Sequence, residues 1–446
     1  MGGANTLAMT PSEAVGPGAT GLRATAVVPR PTRHPGVVLG MLTFVYVLNF
    51  LDRQLLGILA KPIQDSLHIT DGQLGLIGGL YFAMFYCFVA IPVSWLADRT
   101  SRVGVLTLAC AIWSAATMAC GVARTYPQLV AARMVVGFGE AGGVPPSYAL
   151  ITDTFAPGRR GVAFGIYNLG PPIGAALGIA LGASIAAAYD WRDAFVAIGV
   201  VGVVAALALP FVVPEPARGA SDPQRREAPA RAPFWRTLGS FFASPVMMLA
   251  ALGSGATQFV TYGLGNFAVL FLIREKGMTL SQIAIWYAVA IVVGMGGGMI
   301  ASGRIIDRFS HASRRVFAIA PAVSLAVALP FYLAFVWAPG WRLALTLLTV
   351  VMFFNYFYLS CSVTLVQEEA APNQRVLAGA LLLLVMNFIG LGLGPTWVGA
   401  ASDWFAGGGA TNPLQLSLYT LAPFYLIAIA LFLALALTLR RRETHV

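Results

Sequence analysis

The sequence predicts an all-α integral membrane protein of twelve transmembrane helices, arranged as two pseudo-symmetric six-helix bundles. Three observations predict it. Of the 446 residues, 58% are apolar and only 10% are charged, whereas a soluble domain carries roughly 25% charged residues. Apolar runs long enough to cross a hydrocarbon core of about 30 Å follow one another from about residue 36 to residue 439. Arginine and lysine alternate between rich and poor connecting segments, twenty against six, which is the asymmetry that orients membrane helices.

The elements follow in order. Residues 1–35 are rich in Gly, Ala, Thr and Pro without the apolar segment of a signal peptide, and read as a disordered cytoplasmic tail. The N-terminal bundle covers 36–213, with helices 1 to 6 near 36–62, 73–97, 103–123, 127–151, 160–188 and 194–213. In helix 5, Gly174, Gly178 and Gly182 recur at every fourth position and make a groove for close helix contact. Pro171 and Pro172, just before them, can bend the helix. Residues 214–243 are rich in arginine and proline and read as a flexible cytoplasmic linker. The C-terminal bundle covers 244–439, with helices 7 to 12 near 244–273, 280–305, 315–337, 342–366, 374–402 and 414–439, before a short cytoplasmic tail at 440–446. The arginine-rich side carries both termini, which requires an even number of crossings and places both ends in the cytoplasm.

Several function classes are excluded. The net charge of +10 is spread over short segments between apolar runs, so it sets orientation and forms no nucleic-acid-binding stripe. Lysine occurs only at Lys61 and Lys276, neither after a glycine, so there is no Walker A loop to bind ATP. Cys87, Cys110, Cys120 and Cys361 lie in apolar runs without metal-ligand spacing, and His34, His68, His311 and His445 are scattered. No metal, cofactor or enzymatic constellation is expected. An excess of Arg over Lys, with abundant Ala and Gly, points to a bacterial inner membrane.

The two halves resemble each other. Ser94-Trp-Leu-Ala-Asp98-Arg99 after helix 2 returns as Gly303-Arg-Ile-Ile-Asp307-Arg308 after helix 8. Ala156-Pro157 with Arg160 returns as Ala371-Pro372 with Arg375, and the two pairs lie 209 and 215 residues apart. Two markers at nearly one spacing indicate a duplicated six-helix unit.

With these features the chain resembles the major facilitator superfamily. Asp98, Arg99 and Arg102 match the charged part of its motif A, although Ser94 and Ser101 stand where that motif has glycine. Arg133, Gly137, Gly139 and Ala141 match motif B, and Gly170, Pro171 and Gly174 resemble motif C, frequent in antiporters. The resemblance implies a cytoplasmic gate at Asp98, Arg99 and Arg102, with Asp153 beside them and Asp307 and Arg308 in the second half. Asn49-Phe-Leu-Asp52-Arg53 together with Gly139-Glu140-Ala141 narrows the likeness to the Spinster branch, whose members move lysolipids and sphingoid phosphates. Organic-anion and sugar-acid symporters of the superfamily share the N-x-x-D-R segment.

An ionisable residue at membrane depth is costly unless paired or hydrated. Asp52, Arg53, Arg133 and Glu140 are the four such residues away from helix ends, and all lie in the N-terminal half. Asn49, Asp52, Arg53 and Leu56 form one stripe of helix 1; Arg133, Gly137 and Glu140 form one stripe of helix 4. Matching depths predict an Asp52–Arg133 contact and an Arg53 that reaches Glu140. Two readings stand: a structural ion-pair cluster, or a site where Glu140, then Asp52, takes up a proton while Arg53, Arg133 and Asn49 meet an anionic head group.

The opposing half offers Gln258, Tyr262 and Asn266 on helix 7, Asn355 and Tyr358 on helix 10, and Asn387 on helix 11, with Tyr46 on helix 1. A cavity charged on one side and aromatic on the other suits a head-and-tail molecule. The expected function is alternating-access, proton-coupled transport of an amphipathic lipid-like anion by a monomer in the bilayer. The rivals are a small organic-acid symporter, a multidrug–proton antiporter, and a sensor without transport.

Overall fold

The computed structural model describes residues 34–216, 234–309, 313–371 and 374–443. Eleven of its helices are long and apolar enough to cross a membrane. The twelfth crossing is helix 4, which is divided into Tyr126–Glu140 and Val144–Thr154. Gly142 and Gly143, followed by Pro145 and Pro146, interrupt the ladder there, because proline lacks the N–H that an unbroken helix needs. Helix 4 thus turns directly after Glu140.

Helix 1 runs Pro35–Ile58 and continues as Ala60–Leu67, ending at His68 in the left-handed conformation, φ 54°. Helix 2 is Asp71–Gly78 and Leu80–Arg99, opened by a capping box between Thr70 and Gln73. Helix 3 is Arg102–Val122; helix 5 is Pro157–Tyr167 and Gly170–Ala188; helix 6 is Trp191–Val212, capped by Asp190. In the second half, helix 7 is Pro245–Arg274, helix 9 Val316–Trp337, and helix 10 Trp341–Asn355 with Phe357–Glu369. Helix 8 extends over 280–309 and helix 11 over 375–407, both through π-helical turns; helix 12 comprises Pro413–Tyr419 and Ala422–Glu443. Such turns recur at functional sites.

The expected linker is only partly loop. Residues 217–233 lie outside the described residues, but Phe234–Ala243 is a helix with Thr237 and Phe241 buried and Trp235 and Phe242 exposed. Residues 1–33 of the N-terminal tail and 444–446 of the C-terminal one also lie outside the described residues.

Within the first bundle, the glycine stripe of helix 5 meets helix 1 as expected. A Cβ on Gly178 would lie 2.6 Å from the Leu51 carbonyl oxygen, and one on Gly182 would lie 2.9 Å from Leu55. Helix 4 uses Gly137 against the Phe82 carbonyl and Gly139 against Trp113 in the same way, at 2.7 Å each. These backbone contacts set helix 5 tightly against helix 1, and helix 4 against helices 2 and 3.

Twelve crossings leave both ends of the protein on one face. On the opposite face the halves are joined by buried polar contacts. Asp71, at the start of helix 2, accepts from Arg274 Nη1 and Nη2 at 2.8 Å each, from Gln64 at 2.7 Å and from Ser402 at 2.6 Å. Asp403 of helix 11 accepts from Thr70 Oγ1 at 2.6 Å and from the Gly72 N–H at 3.0 Å, capping helix 2 from across the interface. Deeper in, Asn266 sits against helices 1 and 2, 3.3 Å (backbone oxygen) from a Cβ on Gly57 and 2.6 Å (Oδ1) from one on Gly78.

Candidate functional site

Helices 1 and 4 place their charges as two crossed pairs. Arg53 Nε donates to Glu140 Oε2 at 2.5 Å. Arg133 Nη1 donates to Asp52 Oδ2 at a longer 3.5 Å. Asn49, Asp52, Arg133 and Glu140 are all buried, at 4%, 2%, 2% and 1% exposure, whereas 10% of the Arg53 side chain remains accessible. That difference sorts the two arginines: Arg53 is slightly accessible and Arg133 is enclosed.

Helix 2 completes the enclosure. The Arg53 guanidinium lies 4.5 Å from the Tyr86 ring centroid, 5.1 Å from Phe50 and 5.4 Å from Phe82; the Arg133 guanidinium lies 5.2 Å from the Phe82 centroid. Aromatic faces attract cations and substitute for part of the lost hydration. Several polar atoms are buried without a hydrogen-bond partner: Asn49 Oδ1, Asp52 Oδ1, Arg133 Nε and Glu140 Oε1. The two carboxylates also adjoin each other, Asp52 lying within hydrogen-bonding reach of Glu140 and of Thr117.

From the second half, Tyr262 of helix 7 lies within electrostatic reach of Arg53, Tyr86 and Glu140. Tyr358 adjoins Tyr262 and Tyr356 and lies within hydrogen-bonding reach of Gln258, and the helix 11 backbone at Gly390 presses against Gln258. Tyr46 stacks on Tyr167 of helix 5 at 4.4 Å. Asn387 stands where helix 11 passes into its π-helical turn. Asn355 departs from the expected cavity wall. Its amide donates to Tyr425 Oη at 2.9 Å, and that hydroxyl returns a bond to Asn355 Oδ1 at 3.1 Å, so the side chain is committed to joining helices 10 and 12. Asn266 is likewise engaged, donating to the Tyr262 carbonyl at 3.0 Å.

A twelve-helix bundle pair with a charge cluster between helices 1 and 4 can be set beside known proteins. The family model described as Major Facilitator Superfamily matches residues 42–395. The chain belongs to the Major Facilitator Superfamily. An MFS-type efflux pump of Mycolicibacterium smegmatis is 29% identical over 83% of this chain and 85% of its own length. Protein spinster homolog 3 of Danio rerio is 26% identical over 85% of this chain and 79% of its own. A crystal structure of a bacterial homolog to the human lysosomal transporter Spinster, inward-facing and unoccupied, superposes with TM-score 0.83 at 30% identity, covering 92% of this chain and 98% of that one. This Major Facilitator Superfamily transporter is thus related to Spinster proteins in sequence and in fold.

The transporter's expected gate residues lie apart from the charge cluster. Arg102 and Asp153 form a buried ion pair between helices 3 and 4, within one bundle. Arg99 is exposed and lies 3.9 Å from the Trp95 ring; Arg308 is exposed beside Phe309 at 5.8 Å. The side chains of Asp98 and Asp307 lie outside the described residues. Sequence reasoning missed Glu215, which caps helix 3 by accepting from Ser101 Oγ and from the Arg102 and Val103 N–H groups at 2.6, 3.0 and 2.9 Å. It also missed the opposite-face cluster of Gln64, Asp71, Arg274, Ser402 and Asp403. The one available signal was Thr70-Asp71 with Gln73, a helix-start pattern that marks the carboxylate's position but not its partner.

Proposed function

We propose that the protein is a proton-coupled secondary transporter for an amphipathic, lipid-like anion of the lysophospholipid or sphingoid-phosphate class, working by alternating access. The observation that carries this reading is the 2.5 Å Arg53–Glu140 pair beneath Tyr86 and Tyr262. Arg53 belongs to one half and Tyr262 to the other, so a ligand on Arg53 touches both. An anionic head group competes with Glu140 for the guanidinium. A carboxylate released from its cation in a buried site binds a proton more readily, because burial disfavours its charged form. Substrate binding and protonation of Glu140 then favour each other, and Asp52 is the second proton site through its own pairing with Arg133. The bilayer is a bacterial inner membrane, with both termini on the cytoplasmic side.

Glu140→Gln keeps an acceptor for Arg53 but cannot exchange a proton. In proteoliposomes, uptake of labelled lysophospholipid by the wild type rises when a pH gradient is imposed, and Glu140→Gln removes that dependence while the protein still folds. Unchanged pH dependence in this variant overturns the assignment. A panel that replaces lysophospholipids by short dicarboxylates tests the substrate class.

A second reading is export of foreign amphiphiles. It is favoured by the likeness to the Mycolicibacterium smegmatis efflux pump. It predicts that cells lacking the gene become more sensitive to cationic or neutral amphiphiles, whereas the lipid-anion reading predicts sensitivity only to anionic ones.

A further inference from the structure

A small void lies between helices 1, 3 and 6, lined by Leu48, Asp52, Trp113, Ser114, Thr117 and Gly202 among others. It is on the scale of one water molecule, and three of its lining side chains, Asp52, Ser114 and Thr117, are polar. Asp52 Oδ1 and Ser114 Oγ, both buried, have no hydrogen-bond partner. Thr117 Oγ1 donates to the Trp113 carbonyl at 2.8 Å and so retains only acceptor capacity. A buried hydroxyl and a buried carboxylate oxygen facing one vacant space, each unsatisfied, are the conditions under which internal water is retained, typically with about three hydrogen bonds.

We propose that one water molecule occupies this void and that Ser114 is a positioning residue for Asp52. The bonding closes without remainder: Ser114 Oγ–H donates to the water, and the water donates one hydrogen to Asp52 Oδ1 and the other to Thr117 Oγ1. A sodium ion is the wrong occupant, because the Arg133 guanidinium already stands 3.5 Å from the same carboxylate. The glycines of helix 6 make the space available. A Cβ on Gly199 would lie 2.8 Å from the Ser114 carbonyl oxygen, so larger residues would close the layer.

The water ties Asp52 to Ser114 and Thr117, so Ser114 positions the carboxylate that the proposed function treats as a proton site. The groups that face Asp52 from its surroundings are Arg53 on its own helix, Arg133 and Glu140 on helix 4, and Cys120 on helix 3; helix 6 contributes only Ile198, Gly199 and Gly202 to the void. Its consequence for transport rests on the reading of Asp52 as a proton site; the water itself does not.

The test is a thermal-stability cycle in detergent on Ser114→Ala, Asp52→Asn and the double variant, with isosteric Thr117→Val as a second entry into the cycle should Ser114→Ala not fold. The expected result is coupling: the loss in melting temperature caused by Ser114→Ala or Thr117→Val falls by half or more once Asp52 is already Asn. Additive losses overturn the proposal, and so does a rise in wild-type melting temperature when choline chloride is replaced by sodium chloride. In uptake assays, Ser114→Ala moves the midpoint of the pH profile to higher pH by half a unit or more. Coupling in the stability cycle alongside pH-independent uptake by the wild type supports the water and overturns proton coupling instead.

Discussion

At the scale of single residues, the two arginines of the cluster separate by exposure. Arg53 holds Glu140 through Nε while its guanidinium carbon lies 4.5 Å from the Tyr86 ring centroid. A lysine has a compact ammonium and no second edge, so it cannot make both contacts. Arg53→Lys is therefore expected to lower initial uptake at least tenfold while leaving expression and melting temperature near wild type, as read by proteoliposome uptake and a thermal shift. Arg133 is enclosed and faces Asp52. Truncating one partner of a buried ion pair costs about 3–5 kcal/mol, so Arg133→Ala is expected to fail in folding before it fails in transport, visible as lost monodisperse protein. Both pairings were legible from spacing, because residues three and four apart share a helix face and the rise per residue sets their depth. The fate of Asn355 was not. It sits at the same helical spacing as Tyr358, but its partner is Tyr425, 70 residues away on helix 12, and periodicity does not say which neighbouring helix a face meets.

Among elements, helix 5 acts on the charge cluster through helix 1. Its glycines let the backbone of helix 1 approach, and Gly178 lies opposite Leu51, the residue before Asp52. Gly178→Val would drive two methyl groups into that contact. Overpacking of this kind costs about 1–3 kcal/mol, and displacing helix 1 would also misalign Arg53 with Glu140. The expected outcome is a lower melting temperature together with reduced uptake, whereas Gly165→Ala, at a position where a Cβ meets nothing, leaves both unchanged. The stripe was legible because a repeat of four needs no knowledge of the fold. The break in helix 4 was not read, although Gly142, Gly143, Pro145 and Pro146 spell it out, since apolar residues on both sides continue the hydrophobic run. The helix Phe234–Ala243 was hidden by the opposite effect: a proline- and arginine-rich neighbourhood made ten residues look like the rest of the linker.

For the whole molecule, the alternating access proposed above requires this face to open, and the contacts that would break are Asp71 with Arg274 and Ser402, and Asp403 with Thr70 and Gly72. Each of these residues stands at a helix end, where sequence alone reads a charge as a solvated loop group; only the meeting of helices 2, 7 and 11 makes them a latch. Thr70 Oγ1 and Asp403 Oδ2 are 2.6 Å apart, so cysteines at the two positions face each other across the halves, and a disulfide joins them when their Cβ atoms come within about 4.5 Å. The chain's own Cys87, Cys110, Cys120 and Cys361 are buried and free, so they offer an oxidant little competition. Under mild oxidation the Thr70→Cys/Asp403→Cys double variant should cross-link within one polypeptide and lose uptake, and a reducing agent should restore it. Each single variant should keep its uptake under the same oxidant. If the cross-linked protein transports as fast as the reduced one, the two halves do not need to part at this face, and a rocking of the bundles about the Arg53–Glu140 site cannot be the transport cycle.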